Sequence, residues 1–394
     1  MAIGTAATNG HASEAPRVAP LDASKVKVTL AETLKPVPAP ETLVFGHTMT
    51  DHMVLAEFHP ETGWTDPVIK PYGPLLIDPI SSCLQYSTNL FEGMKAYWGP
   101  DGEVRLFRPQ MNMARMANSR DRLSLPPFDT EELLRLIKKL VSLEARWIPR
   151  VPGHSLYIRP TLIGTRAFLG VAASDHASLY VVCCPTGPYF RTGARMLSLK
   201  AVGKQVRSWP GGTGGFKISG NYSPTFMPQK EANKEGYDQV LWLIGDQITE
   251  AGAMNFFVAV KRDDGDIDVI TPPLDGTILP GVTRDSVLRL VAAHGAEGNV
   301  LALPASVKVH AQERATTMAD LHAWSANGRL VEAFSVGTAV VVAGIGRIGS
   351  EGDAEIVFPK QDGPRGPIAH AIYEKLTAIQ EGREEFEDWS VTCQ

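Results

Sequence analysis

Lys217 is the only charged residue between Trp209 and Tyr222, a stretch that also holds five glycines. Phe216, Ile218, Asn221 and Tyr222 frame it. An amine held in such an apolar, glycine-permitted crevice loses the hydration of its charged form. That favours the free base and suits Schiff-base chemistry with a carbonyl compound. Tyr222, five residues on, could hydrogen-bond a phenolic oxygen of the same ligand. A mobile surface loop with a solvated lysine fits the pattern equally well.

Three further groupings could do chemistry. Around Pro280 and Gly281 a turn runs into an amphipathic helix beginning near Val282 and Thr283, whose first amides and dipole suit a phosphate. The alternative is that Thr283 simply caps that helix. Glu250, in the turn Thr249-Glu-Ala-Gly-Ala-Met-Asn between apolar strands, is placed to protonate a ring nitrogen, or else is one more exposed acid. Tyr157 and Arg159 share one face of a strand by its period of two. An arginine among apolar neighbours can fork onto a carboxylate. Schiff-base lysine, phosphate cradle, pyridinium partner and carboxylate-binding arginine together describe a pyridoxal 5'-phosphate enzyme.

Two glycine motifs point elsewhere. Gly344-Ile-Gly-Arg-Ile-Gly349 spells G-x-G-x-x-G after an apolar strand, but a turn and another strand follow where a dinucleotide fold needs a helix, so a β-turn is expected. Gly211 to Lys217 resembles a P-loop, yet Phe216 and Ile218 stand where that loop needs Gly before its Lys and Ser or Thr after it.

The elements that must position these residues are mixed. Strands are expected at 155–163, 178–184, 239–244, 254–260 and 337–343, and helices at 112–123, 129–147, 284–294, 317–326 and from Pro367. Strands and helices in both halves imply an α/β (α+β) protein of two domains. The divisions are a flexible tail at 1–40, a smaller domain at 41–190, a linker at 191–205 and a larger domain at 206–394. The chain has 394 residues, with 38 basic against 43 acidic side chains and a net charge of −5. That balance argues against a nucleic-acid or membrane-surface partner. Four cysteines (Cys83, Cys183, Cys184, Cys393) are too few for a disulfide framework, and the histidines show no metal-ligand spacing. No run spans a bilayer and no leader pattern is evident, so a cytoplasmic location is expected, with mitochondria as the alternative.

The sequence resembles the branched-chain amino acid aminotransferases, pyridoxal phosphate enzymes of fold type IV, from about Leu43 to Val342. The motifs carrying the likeness are Leu90-Phe-Glu-Gly-Met-Lys-Ala-Tyr, Arg105-Leu-Phe-Arg-Pro with Asn112-Met-Ala-Arg115-Met, Ser155-Leu-Tyr-Ile-Arg-Pro, Gly187-Pro-Tyr-Phe, Val206-Arg-Ser-Trp-Pro-Gly-Gly, Lys217 with Gly220-Asn-Tyr222, Thr249-Glu-Ala-Gly-Ala-Met-Asn and Ile278-Leu-Pro-Gly-Val. The resemblance implies transamination of branched-chain L-amino acids (Leu, Ile, Val) with 2-oxoglutarate. By it, Lys217 is the catalytic amine, Glu250 the ring-nitrogen partner and Tyr222 the partner of the ring's phenolic oxygen. Arg115, Val282, Thr283 and Thr338 hold the phosphate, with Arg207 close by. Tyr86, Arg159 and the turn Gly337-Thr338-Ala339 form the substrate-carboxylate end, and Phe91, Tyr157 and Tyr222 wall the side-chain pocket. Val171 and Tyr189 match positions contributed by a second subunit, which implies a homodimer.

Departures from the family bear on substrate choice. Relatives usually carry Phe at Met49 and many carry Thr at Ala253. Arg166 and Phe168 are unusual in their loop, and Val340 and Ala343 replace a redox-sensing C-x-x-C. The alternatives are another fold type IV enzyme (a D-amino acid or (R)-amine transaminase, or an aminodeoxychorismate lyase) and an NAD-dependent oxidoreductase built on Gly344–Gly349.

Overall fold

The computed structural model describes residues 18–189, 195–297 and 300–393. These fall into two bodies, each organised on its own sheet. The first sheet contains β1 (Lys27–Val28), β2 (His52–His59), β3 (Gly63–Trp64), β4 (Val68–Pro71), β5 (Asn89–Phe91), β6 (Met94–Trp98), β7 (Val104–Phe107), β8 (Ser155–Gly164) and β9 (Ala177–Thr186). The second contains β10 (Leu197–Val202), β11 (Gln239–Ile244), β12 (Gln247–Ala251), β13 (Met254–Lys261), β14 (Ile267–Thr271), β15 (Val309–Glu313), β16 (Leu330–Gly337), β17 (Val341–Gly349) and β18 (Ile356–Val357). A last strand, β19 (Ser390–Thr392), returns to the first sheet and pairs antiparallel with β7. Helices α1 (Ser82–Tyr86), α2 (Pro109–Arg122) and α3 (Thr130–Leu143) go with the first sheet. Helices α4 (Phe226–Lys234), α5 (Val282–Glu297), α6 (Met318–Ala326) and α7 (Pro367–Gln380) go with the second.

Helix α3 shows why these segments fold as they do. Asp129 accepts from the amides of Glu131 and Glu132, satisfying donors that the first turn leaves without partners. Glu132 does not reach back to complete a capping box; its Oε2 accepts from the Ala23 amide at 2.7 Å. The apolar positions Leu133, Leu136, Ile137 and Leu140 are wholly buried with Trp147 against the sheet. Each such side chain stabilises by about 1.5–3 kcal/mol.

In the second body β12 pairs with both β11 and β13, so β10, β11, β12, β13, β16 and β17 close into a ring. Alternation decides the rest. Phe256 and Val258 of β13 pack into one cluster with Leu199, Leu241 and Ile345. Phe257 and Ala259 face the opposite way, into a second cluster with Val287 and Leu290 of α5 and Ile372 and Leu376 of α7.

Several sequence expectations need correction. Residues 18–40 are not a free tail: Leu21 is buried, β1 pairs in parallel with β4, and Ala31 N donates to His52 Nε2 at 2.8 Å. The expected linker contains β10, a strand lying between β11 and β17 because Leu197, Leu199 and Ala201 alternate inward; its residues 191–194 lie outside those described. The larger domain does not keep its C-terminus, since β19 joins the other sheet. Residues 337–343 are not one strand but the end of β16, a reversal at 338–340 and the start of β17. The glycines at 344, 346 and 349 lie within β17, not in a turn, and no helix opens there. A Cβ on Gly344 would meet Pro364 O at 2.5 Å and one on Gly349 would meet Tyr237 OH at 1.9 Å, so these glycines serve close packing. That overturns the nicotinamide-dinucleotide alternative. The adjacent Cys183 and Cys184 are both buried in β9.

Candidate active site

One face of α2 does much of the positioning. Asn112, Arg115 and Ser119 recur at three- and four-residue spacing and point the same way. Ser119 Oγ accepts from the Lys217 amide at 2.9 Å, while Phe91 N donates to Lys217 O at 3.2 Å. The residue after the lysine, Ile218, bridges Leu90 of β5. Lys217 is therefore fixed between α2 and β5, which replaces the surface-loop alternative with a built site. Its Nζ lies 3.3 Å from Tyr222 OH and 4.9 Å from the centre of the Phe91 ring. Phe91 also touches Tyr222, with ring centres 5.1 Å apart, and carries the Arg159 guanidinium 4.6 Å from its own centre. Arg159 Nη2 donates to Tyr157 OH at 3.0 Å, joining the strand pair read from sequence. Arg159 Nε is buried with no hydrogen-bond partner.

Arg115 is held by a residue whose role the sequence did not reveal. Its Nε and Nη2 donate to Glu92 at 2.6 and 2.8 Å, and Nη1 donates to Pro280 O at 3.0 Å. A guanidinium has five N–H groups; these bonds use three, leaving one each on Nη1 and Nη2. Burial would raise the Glu92 carboxyl, but Arg115, Lys217 and Asn112 outweigh it and hold the group below the usual carboxylate range. Pro280 leads into α5, where Val282 and Thr283 are the first helical residues and Thr283 sits inside the helix instead of capping it. A Cβ on Gly281 would lie 2.0 Å from Asn255 Oδ1. A small cavity of about 20 Å³ is lined by Gly93, Asn112, Val282, Thr283 and Thr338, and Thr338 Oγ1 donates to Gly93 O at 3.4 Å.

Glu250 lies on β12, buried, and is not an exposed turn acid. Asn255 Nδ2 donates to its Oε1 at 3.0 Å, and Arg207 Nη1 lies 2.8 Å from its Oε2. Arg207 points its own hydrogens at Thr277 O and Gly214 O, so Oε2 receives no well-directed hydrogen bond. Burial raises the Glu250 carboxyl, and Arg207 and Lys217 offset only part of that. An acid so placed has an acceptor to offer one incoming N–H donor. The donor set fits a pyridoxal phosphate: an amine, a phenol, a buried carboxylate with an unused oxygen, and a helix N-terminus beside an arginine fork.

The remaining sequence candidates are less drawn in. Tyr189 meets Phe45, 6.3 Å between ring centres, and Phe45 meets Tyr157 at 4.8 Å. Phe45, which was not singled out in the sequence, thus links Tyr189 to Tyr157 within one chain. Tyr86 is 40% exposed and its hydroxyl donates to Leu169 O; Val171 is 87% exposed. The Met49 carbonyl accepts from Lys35 Nζ at 3.2 Å. Ala339 accepts from Lys95 Nζ at 2.8 Å. Among the described residues no His, Cys, Asp and Glu cluster could hold a metal, and no helix is long and apolar enough to cross a membrane.

Residues 89–348 match the family Amino-transferase class IV. The chain is 47% identical over 378 residues to the cytosolic branched-chain-amino-acid aminotransferase of Saccharomyces cerevisiae, covering 95% of this chain and 98% of that one. It is 44% identical to the cytosolic enzyme of Mus musculus of the same name, covering 92% and 91%. Among solved structures it is similar to the Thermoproteus uzoniensis branched-chain aminotransferase with norvaline, at TM-score 0.66 and 25% identity over 87% of this chain and all of that one. It is also similar to the T.th. branched-chain amino acid aminotransferase with pyridoxamine 5'-phosphate, at TM-score 0.67 and 25% identity over 88% and 100%. The chain belongs to the branched-chain amino acid aminotransferases of the class IV aminotransferase family.

Proposed function

We propose that this chain transfers the amino group of branched-chain L-amino acids to 2-oxoglutarate, with pyridoxal 5'-phosphate as cofactor and as a homodimer. The observation that carries the reading is the pairing of Lys217 and Tyr222 at one end with the unused Glu250 oxygen at the other. When bound, pyridoxal phosphate supplies a carbonyl carbon for the amine and a ring that draws electrons from the donor's Cα. Glu250 would keep a proton on the ring nitrogen by accepting from that N–H through its unused buried oxygen. The Lys217 amine would take the proton from the donor's Cα and return it across the transferred nitrogen, to the carbon that carried the cofactor's carbonyl. Tyr222 OH steadies that amine. Arg115, the first amides of α5 and Thr338 hold the phosphate. Glu92 keeps the Arg115 fork aimed.

Arg159, Tyr157 and the turn at 337–339 receive the substrate carboxylate. Phe91, Tyr157 and Tyr222 form apolar walls, and a methylene there is worth about 1–3 kcal/mol, so Leu, Ile and Val should be only weakly discriminated. Exposed Leu84, Phe168, Leu169 and Val171 support a second copy as the cover for this face. The curated relatives include cytosolic and mitochondrial forms, and we assign this chain to the cytosol. The purified protein is expected to be yellow and to lose its visible band in Lys217→Ala. Activity confined to D-leucine in an assay of both enantiomers would sink the branched-chain L-amino acid reading.

A further inference from the structure

The turn between β16 and β17 is under strain. Gly337 pairs with Val341, so only three residues reverse the chain. Val341 sits at φ +61°, the left-handed region that glycine normally fills in such a hairpin and that a β-branched side chain strongly disfavours. Backbone of this kind persists only where its surroundings over-determine it. The restraint comes from the other body. Gly93, just before β6, and Lys95 within it both reach the turn: Gly93 O accepts from Thr338 Oγ1, and Lys95 Nζ donates to Ala339 O at 2.8 Å.

Lys95 is an odd choice for a tether. No carboxylate pairs with it among the described residues, and burial alone draws its ammonium down to about 8. It lines the small cavity beside Val282 and Thr283, and also a cleft of about 510 Å³ whose wall includes 339–343, Tyr97, Arg365 and Tyr373. A half-buried ammonium with one carbonyl as its anchor gives up hydration that a methionine of similar length would not need. An anion bound at the turn would compensate its positive charge.

We propose that Lys95 is a positioning residue for binding the carboxylate common to both substrates, the amino acid and the oxo acid. Its ammonium fixes the Ala339 carbonyl, and with it the direction of the turn's amides, and it supplies positive charge at that end. This rests on the reading that the turn at 337–339 receives the substrate carboxylate. Because both half-reactions use that group, Lys95 acts on both.

The test uses holoenzyme and 4-methylvaleric acid, a branched carboxylate with no amino group, whose binding is followed through the cofactor's visible absorbance. Lys95→Met is expected to raise its Kd, and the KM for both leucine and 2-oxoglutarate, by about tenfold, which corresponds to about 1.4 kcal/mol. The kcat and the unliganded spectrum should stay as in the wild type, and Lys95→Arg should recover most of the affinity. A loss of kcat or of bound cofactor with KM and Kd unchanged would overturn the proposal, as would failure of Lys95→Arg to recover affinity. Ala339→Pro, which removes a turn amide, separates the two levels. If it leaves Kd unchanged, the turn is not the carboxylate site; if it weakens binding while Lys95→Met does not, the role of Lys95 is refuted.

Discussion

Glu332 lies wholly buried on β16 at the start of α7, where Oε1 accepts from Ile368 N at 2.7 Å and more weakly from Ala369 N. Those two amides and the helix N-terminus favour the carboxylate. Burial opposes them and wins, raising the group from 4.5 to about 7. A carboxyl whose folded value exceeds its unfolded one holds more protons folded than unfolded between the two. Its stabilising contribution is thus fully present below about 4.5 and is lost as pH rises through 7. At about 1.4 kcal/mol per pH unit, the interval amounts to about 3 kcal/mol. Glu332→Gln mimics the protonated acid and removes the linkage. Urea unfolding between pH 5 and 8.5 is expected to give curves that converge at the acid end and diverge above neutrality. The variant should be more stable there by about 3 kcal/mol, or up to about 1 M in midpoint. Parallel profiles for the two proteins across that range would refute the reasoning, since every other titrating group is common to both.

Four further outcomes follow from the site. Glu92→Gln leaves Arg115 buried with half its partner gone; a loss of about 3 kcal/mol in stability is expected from denaturant titration, with weaker cofactor retention on dialysis. Glu250→Gln should lower kcat by about 10²-fold or more through loss of charge at the buried end, with KM for leucine little changed in steady-state assays. Gly281→Ala forces Asn255 away and should release the cofactor, visible as a colourless but folded protein by absorbance and circular dichroism. Asp129→Ala removes the α3 cap and should cost about 1 kcal/mol without altering activity at saturating substrate.

What was legible in the sequence was local. Lys217 and Tyr222 could be read together because five residues and five glycines put them in one short loop. Tyr157 and Arg159 followed from strand alternation, and the start of α5 from its turn. The partners were not legible, because they come from distant elements: Glu92 for Arg115, Asn255 and Arg207 for Glu250, Ser119 for the Lys217 backbone. The nature of Glu250 was evident, but its burial depends on how the ring closes. The hairpin at 337–341 was hidden for a different reason. An uninterrupted uncharged run carries the reversal with valine, not glycine, in the left-handed position, so the usual turn chemistry is missing. β10 was lost because its alternation follows a segment whose prolines and glycines suggest a connector.

The return of β19 to β7 has a consequence for manufacture. Cys393 N donates to Val104 O at 2.9 Å, and Trp389 packs edge-on against Phe107, 5.7 Å between ring centres. The body whose strands leave the ribosome first is therefore the last to be finished. While the intervening body is translated, the outer edge of β7 exposes unpaired amides and carbonyls, the kind of edge on which strands of other chains add. Emergence of β19 is then the step that seals that edge, and chains truncated before Trp389 are expected to partition to chaperones or aggregates even though every proposed catalytic side chain has been made.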